Sequence, residues 1–286
     1  MFSIIIPSYN NIEYLKCCIE SIRNNSSYKH EIIVHVSVGE DGTCKFLDEI
    51  NINYTFTKYN AGICEGVNKA VKIAKKPYIL YSHDDFYFCP EWDKHIANDL
   101  INYNNNLFYI SGTMMNRGQI EFNCGNNLND FDENNLLSNY HKINHYDYQG
   151  STWAPHLIHI ELWKKVGGFS ESFFPGYGSD PDFNMKLWNA GVRIFKGLGS
   201  ARVYHFGSVV GRKKNDLRIP KKIGSRGSKQ FLIKWGISIK FFKKYYLRSG
   251  TTYNGPLDEP KKNFNYYVDL FKCKLNLIYL RLFFKT

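Results

Sequence analysis

Four short polar clusters hold side chains suited to phosphates, metal ions and protons. The first is Asp84-Asp85, preceded by His83. Adjacent carboxylates just past a strand can hold a divalent ion against two phosphates, although the same pair also suits a surface turn or a helix cap. The second is His205, ahead of Phe206-Gly207, whose neutral imidazole can ligate a metal or simply pack. The third is Gly176-Tyr177-Gly178-Ser179-Asp180-Pro181-Asp182. Its glycines permit a tight loop, and Asp180 falls where a helix begins. A carboxylate there caps free N–H groups or takes a proton from a hydroxyl as general base, and strong capping lowers its basicity. The fourth is Asn60-Ala61-Gly62 with Asn68. Amides at a helix opening suit nucleotide binding and equally suit helix capping.

Hydrophobic periodicity supplies the elements that must carry these clusters. Residues 2–6 form an apolar run that predicts a buried strand, and Ile12, Leu15, Ile19 and Ile22 recur at helical spacing. Residues 31–38 predict a second strand, Asp41-Gly42 a turn, and Tyr54 to Thr57 a third strand. A helix follows over Ala61 to Lys75, then a strand over Pro77 to Ser82 and a helix over Glu91 to Tyr103. This alternation predicts an α/β fold with a doubly wound, mostly parallel sheet flanked by helices. Ligands of such sheets sit beyond the carboxyl ends of the strands, where Pro7-Ser8-Tyr9-Asn10, Ser37 to Asp41 and His83-Asp84-Asp85 all fall. Residues 123–149 are rich in Asn and Asp and predict a long loop or lid. Short helices are expected over Ile160 to Val166 and Asp180 to Asn189, and separate strands over Val192 to Phe195 and Ala201 to Tyr204.

The formal net charge of +11 favours phosphate-bearing or membrane-surface partners. Seven cysteines, with no C-x-x-C pair, argue against a disulfide framework or zinc knuckle and fit a reducing, cytoplasmic setting. The apolar start lacks a basic flank and meets Pro7 early, which suits a strand better than a signal peptide.

The order of the clusters resembles that of the inverting family 2 glycosyltransferases with a GT-A fold. The likeness runs over roughly residues 2–208: Ser3-Ile4-Ile5-Ile6-Pro7-Ser8-Tyr9-Asn10, Asp41-Gly42-Thr43, Asn60-Ala61-Gly62 with Asn68, His83-Asp84-Asp85, Val166-Gly167-Gly168-Phe169, Ser179-Asp180-Pro181-Asp182, and Val203-Tyr204-His205. The joint order is more specific than any one motif. The resemblance implies a metal-dependent, inverting transfer from a nucleoside diphosphate sugar, by default a UDP-sugar, to a glycan or lipid-linked acceptor. It implies Asp85 and His205 as ligands of Mn2+ or Mg2+, and Asp84 at the ribose or metal. Pro7, Tyr9, Asn10, Ser37, Asn60, Gly62 and Asn68 would line the nucleotide. Asp180 would be the general base, with Asp182 in reserve. Four positions depart from the family pattern: Val36 and Ser37 replace its usual acids, His83 its first metal-motif acid, and Ser179 its usual Glu.

We expect residues 1–210 to form the nucleotide-sugar-binding domain and residues 211–286 a basic, aromatic-rich extension, with the boundary between Gly207 and Gly224. In the extension, Phe231, Leu232, Ile233, Trp235, Ile237, Phe241 and Phe242 alternate with lysines that do not share one helical face. That suits helices packed on the catalytic domain with snorkelling lysines, and leaves open peripheral contact at the cytoplasmic membrane face or a homo-oligomer. Three other functions compete. A nucleotidyltransferase calls for an early Gly-rich loop with a basic residue, which Pro7-Ser8-Tyr9-Asn10 is not. A nucleic-acid binder calls for a recognisable module, and none appears. A non-catalytic nucleotide- or carbohydrate-binding protein on the same scaffold is the main alternative.

Overall fold

An unbroken apolar run such as Ile4-Ile5-Ile6 suits a strand covered on both faces, and β1 (Ser3–Tyr9) occupies that place. The computed structural model describes residues 1–150, 153–207 and 223–283. Around β1 the chain alternates α1 (Ile12–Asn25), β2 (Glu31–Ser37), α2 (Thr43–Glu49), β3 (Asn53–Thr57), α3 (Gly62–Val71) and β4 (Tyr78–Tyr81). These strands run parallel in the order β3-β2-β1-β4. Leu15, Cys18, Ile19 and Ile22 bury one face of α1, as their spacing predicts.

The second half of the sheet is mixed. After β5 (Phe86–Phe88) and α4 (Trp92–Leu100) come β6 (Phe108–Met115), α5 (Glu133–Asn139), β7 (Tyr148–Gln149) and β8 (His156–His159). These are followed by α6 (Ile160–Val166), α7 (Ser179–Asn189) and β9 (Ile194–His205). The full order is β3-β2-β1-β4-β8-β6-β9-β5, with β7 on β9. β8 runs antiparallel to β4 and β6, whereas β6 and β9 are parallel.

Two expectations need correction here. Val192 to Phe195 and Ala201 to Tyr204 are not separate strands. One strand, β9, runs from Ile194 to His205 and takes in all but Val192 and Arg193 of the two, with a register irregularity between Ser111 and Thr113 of its partner β6. Residues 123–149 are also not an open lid. Cys124 and Leu136 join a satellite apolar cluster with Tyr87, Met115 and Phe206. The buried Arg202 guanidinium donates to the Tyr140 and Ile143 carbonyls and pins this segment.

Beyond β9 lie α8 (Ile223–Trp235), α9 (Ile239–Tyr245) and α10 (Phe264–Phe283). Phe231, Phe241, Phe242 and Leu247 are buried in the same core as the sheet. Each such side chain contributes about 1.5–3 kcal/mol through burial, enough to hold the extension in place. The expected boundary between Gly207 and Gly224 falls largely outside the described residues. α10 carries two apolar seams. Tyr266, Cys273 and Leu280 face inward, whereas Phe264, Phe271, Leu275, Ile278 and Leu282 are half or more exposed. No helix among the described residues is long and apolar enough to cross a membrane.

Candidate active site

A cleft of about 540 Å3 opens beyond the carboxyl ends of β1, β2 and β4, and its size suits a small-molecule ligand. Pro7, Tyr9, Ser37, Asn60, Gly62 and Asp84 line it, together with Asp85, Asp180 and His205. The four clusters named from sequence therefore converge on one cavity. Asn10, Asn68 and Asp182 do not line it.

The ladder between β5 and β9 builds the end of the cleft beside Asp85. Phe86 pairs with His205, and Phe206 N–H donates to the Asp85 carbonyl at 3.1 Å. His205 Nε2 consequently stands 3.5 Å from Asp85 Oδ2. His83 Nδ1 lies 3.9 Å from Asp85 Oδ1, with its ring stacked on Phe86 at 4.8 Å between centroids. One ligand atom from each of His83, Asp85 and His205 lies within 4.8 Å of the others. Donors bound at about 2.1 Å stand no more than about 4.2 Å apart, so a side-chain adjustment of under about 1 Å would let this set hold a divalent ion. Burial pulls the His83 imidazole down to about 4, which keeps it neutral and its lone pair available. His83 stands where the family pattern has an acid, and it was not among the ligands expected from the sequence. Two imidazoles and one carboxylate make a softer donor set than the all-oxygen surroundings Mg2+ prefers. The buried Asp84 accepts a hydrogen bond from Ser8 Oγ at 2.8 Å, which ties the end of β4 to β1.

On the opposite wall the loop ahead of α7 presses against the start of α3. Ile63 N–H donates to the Pro175 carbonyl at 2.7 Å. Gly62, at φ +66°, has no room for a side chain, since a Cβ would fall 2.9 Å from both Phe174 and the Pro175 carbonyl. Asn60 lines the cleft and also accepts from Gly62 N–H at 2.9 Å, so it both caps and faces the cavity. Ser37 Oγ accepts from Ala61 N–H at 3.3 Å. Asn68 turns away: its amide donates to the Phe169 carbonyl and accepts from its N–H, which clamps the turn after α6. Asp41 accepts from the Ile12 and Thr43 N–H groups and fastens the turn between β2 and α2 to α1.

The two acids of the third cluster have different surroundings. Asp182 is fully buried. It accepts from Ser170 Oγ at 2.6 Å and Trp235 Nε1 at 2.7 Å, and pairs with Lys234 at 2.7 Å. Asp180 faces the cleft, and burial alone pushes its carboxyl up to about 7. Its Oδ1 has no hydrogen-bond partner among the described residues and lies 3.5 Å from His156 Nε2. Burial lowers the His156 ring to about 3, so it is neutral. The Tyr109 hydroxyl meets its Nδ1. With that phenol donating, the ring proton sits on Nε2 and faces Asp180.

Several lining residues had no sequence signal. Arg117 sits in a left-handed turn after β6, donates to the Gly207 carbonyl and to Asn126, and brings a guanidinium to the cleft. Trp153 places a half-exposed ring at its rim, beside the half-exposed ring of Tyr177 from the third cluster. His156 lies on β8, a strand that sequence reasoning did not anticipate.

The family model of glycosyl transferase family 2 matches residues 3–155, more than half of the chain. The chain belongs to glycosyl transferase family 2. It is 26% identical over 232 residues to the chondroitin synthase of Escherichia coli, a match covering 76% of this chain and 31% of that protein. The chain thus spans about a third of the length of that curated relative. Among solved structures it is similar to S. aureus TarS 1-349 (TM-score 0.55, 16% identity, 71% of this chain and 60% of that one). A second similar structure is TarS 1-349 in complex with UDP-GlcNAc (TM-score 0.56, 14% identity, 82% and 66%). At these identities the structural likeness speaks for the fold.

Proposed function

We propose that this family 2 chain transfers a sugar from a nucleoside diphosphate sugar to a hydroxyl of a glycan or glycoconjugate acceptor, with inversion and with a divalent metal. One observation carries the reading: a donor set suited to a metal and a carboxylate raised to about 7 share one cleft. A general base works best with a pKa near the operating pH, and Asp180 meets that condition.

The acceptor hydroxyl gives its proton to Asp180 as its oxygen bonds to the anomeric carbon. The bond from that carbon to the diphosphate breaks, and its electron pair leaves with the nucleotide. His156 Nε2 lies 3.5 Å from Asp180 Oδ1, close enough that a small approach would let it orient the base. His83, Asp85 and His205 would hold Mn2+, which neutralises charge on the leaving diphosphate when bound. Arg117 supplies a fixed cation at the same cleft. Asp182 serves as a positioning residue, since its bonds to Ser170, Lys234 and Trp235 hold the first turn of α7 that carries Asp180.

The TarS complexes with UDP and UDP-GlcNAc support a uridine nucleotide as donor carrier, and the chondroitin synthase relative supports a glycan acceptor. For the extension we propose contact with an anionic bilayer. The outward seam of α10 is flanked by Lys272, Lys274 and Arg281, while Asp269, the helix's acid, pairs with Lys244 and Lys272. The transferase reading is tested by incubating the chain with UDP-sugars and Mn2+. Donor cleavage that disappears in Asp180→Asn supports it. Metal-dependent nucleotide binding with no turnover on any donor moves the chain to the non-catalytic alternative.

A further inference from the structure

A second groove, of about 1200 Å3, lies on the extension outside the catalytic cleft. Lys240, Lys243, Lys244 and Arg248 line it, together with the hydroxyls of Ser249 and Thr252. Lys244 pairs with Asp269 at 2.9 Å, and Arg248 approaches Asp258 at 3.8 Å. Among the described residues no carboxylate comes within ion-pair distance of Lys240 or Lys243. Lys243 is half-buried between α9 and the cleft rim, and burial lowers its ammonium. A desolvated cation without a counter-charge is costly unless an anion arrives to pair with it.

The groove is built as one piece with the cleft rim. Its floor, residues 248–254, is stitched to residues 147–150. Gln149 N–H donates to the Thr251 carbonyl at 2.7 Å, Gly250 N–H to the Gln149 carbonyl at 3.1 Å, and Tyr253 N–H to the Asp147 carbonyl at 2.8 Å. Ser249 Oγ donates to the Gly150 carbonyl at 2.7 Å. The same segment runs on to Trp153, which lines the catalytic cleft. Lys243 Nζ lies 5.7 Å from the centre of the Trp153 ring, so a single contact links the two cavities.

We propose that the acceptor is a polyanionic glycan, whose carboxylate, sulfate or phosphate groups seat in the groove lined by Lys240, Lys243 and Arg248 while its growing end passes over Trp153 to Asp180. Lys243 and Arg248 read the charge, the groove hydroxyls accept the sugar edges, and the Trp153 face stacks on a ring near the reacting end. This rests on the transferase reading above. It goes beyond that reading in giving the acceptor a charge and a second contact surface away from the chemistry.

The test titrates the full chain calorimetrically with oligogalacturonate and dextran sulfate as anionic probes, and with a malto-oligosaccharide of similar length as the neutral probe. At least one anionic probe is expected to bind, more weakly as salt rises, and the neutral probe roughly tenfold more weakly or not at all. The double variant Lys240→Ala with Lys243→Ala is expected to lose roughly tenfold in anionic-probe affinity, and Lys243→Arg to retain it. Lys240→Glu, at an exposed position, serves where the double variant does not fold, and a several-fold loss is expected of it. Absence of binding by both anionic probes, equal binding of the neutral one, or unchanged affinity in Lys240→Glu and the double variant overturns the proposal. UDP-sugar cleavage without acceptor is followed in parallel. Groove binding without any donor cleavage sinks the transferase reading and leaves the anion site. Donor cleavage without groove binding does the reverse.

Discussion

Replacing Asp180 with Asn keeps the side chain's shape and removes its charge, and the structure assigns opposite signs to the effects on activity and stability. Burial raises the Asp180 carboxyl from 3.8 to about 7. The folded chain therefore holds a proton there between about pH 4 and 7 that the unfolded chain has released. Stability from this group is fully present below about pH 4 and is lost as pH rises toward 7. Three pKa units correspond to roughly 4 kcal/mol. The side chain is 26% exposed, which screens part of that cost. Its place in the first turn of α7 returns about 0.3–1 kcal/mol to the charged form. A net gain of about 1–3 kcal/mol is expected for Asp180→Asn at pH 8, and little change at pH 4. For a chain of this size that raises Tm by roughly 2–8 °C. Removing the base should also slow transfer by about 10²–10⁴-fold. The assay pairs thermal melts from pH 4 to 8 with UDP-sugar turnover. A variant that melts no higher than wild type at pH 8, or that keeps turnover within a few-fold, refutes the assignment of a desolvated base.

In the wild-type enzyme the base must be ionised to act, so kcat/KM should rise with pH through about 7 and then level off; a profile flat from pH 5 to 8 contradicts this. Asp182→Asn should behave unlike Asp180→Asn, because it strands Lys234 beside a neutral side chain. Lys234 is about one-third exposed, so the loss comes mainly from weakened bonds at the buried carboxylate; about 1–3 kcal/mol is expected at neutral pH in denaturant titrations, and an unchanged midpoint would remove the positioning role. His83→Asp exchanges an imidazole for a hard oxygen ligand and should shift the metal preference from Mn2+ toward Mg2+ by roughly tenfold in activation constant; an unaltered preference would take His83 out of the donor set. Charging the outer seam of α10 with Phe271→Asp and Ile278→Asp, both exposed, should abolish co-sedimentation with anionic vesicles while leaving the melt unchanged. Retained co-sedimentation would place membrane contact elsewhere.

The parallel half of the sheet was legible because its signals are local. Ile4-Ile5-Ile6 and the alternation of residues 31–38 announce buried strands, and the polar clusters follow them within a few residues. The mixed half was not, because its strands depend on distant partners. β5 is only Phe86-Tyr87-Phe88, and it becomes a strand by pairing with Val203 to His205. That ladder brings His205 to Asp85, which proximity in sequence cannot show. Residues 123–149 lack periodicity because Cys124 and Leu136 reach into the satellite cluster whereas Tyr148 pairs with β9. Asp180 and Asp182 look interchangeable as text. Their roles separate only when Trp235 and Lys234 arrive from the extension to occupy Asp182. Arg117 and His156 carried no signal, since a lone Arg after an apolar strand and a lone His in Ala154-Pro155-His156 are both common.

The most direct measurement is a calorimetric titration of UDP into the chain with and without Mn2+, repeated on Asp85→Ala. Asp85 lies between His83 and His205, so its loss removes the carboxylate of the donor set. The account predicts UDP binding that tightens by tenfold or more with Mn2+ in the wild type, roughly 1.4 kcal/mol, and no metal effect in the variant. UDP binding indifferent to metal, or a metal effect that survives Asp85→Ala, contradicts it.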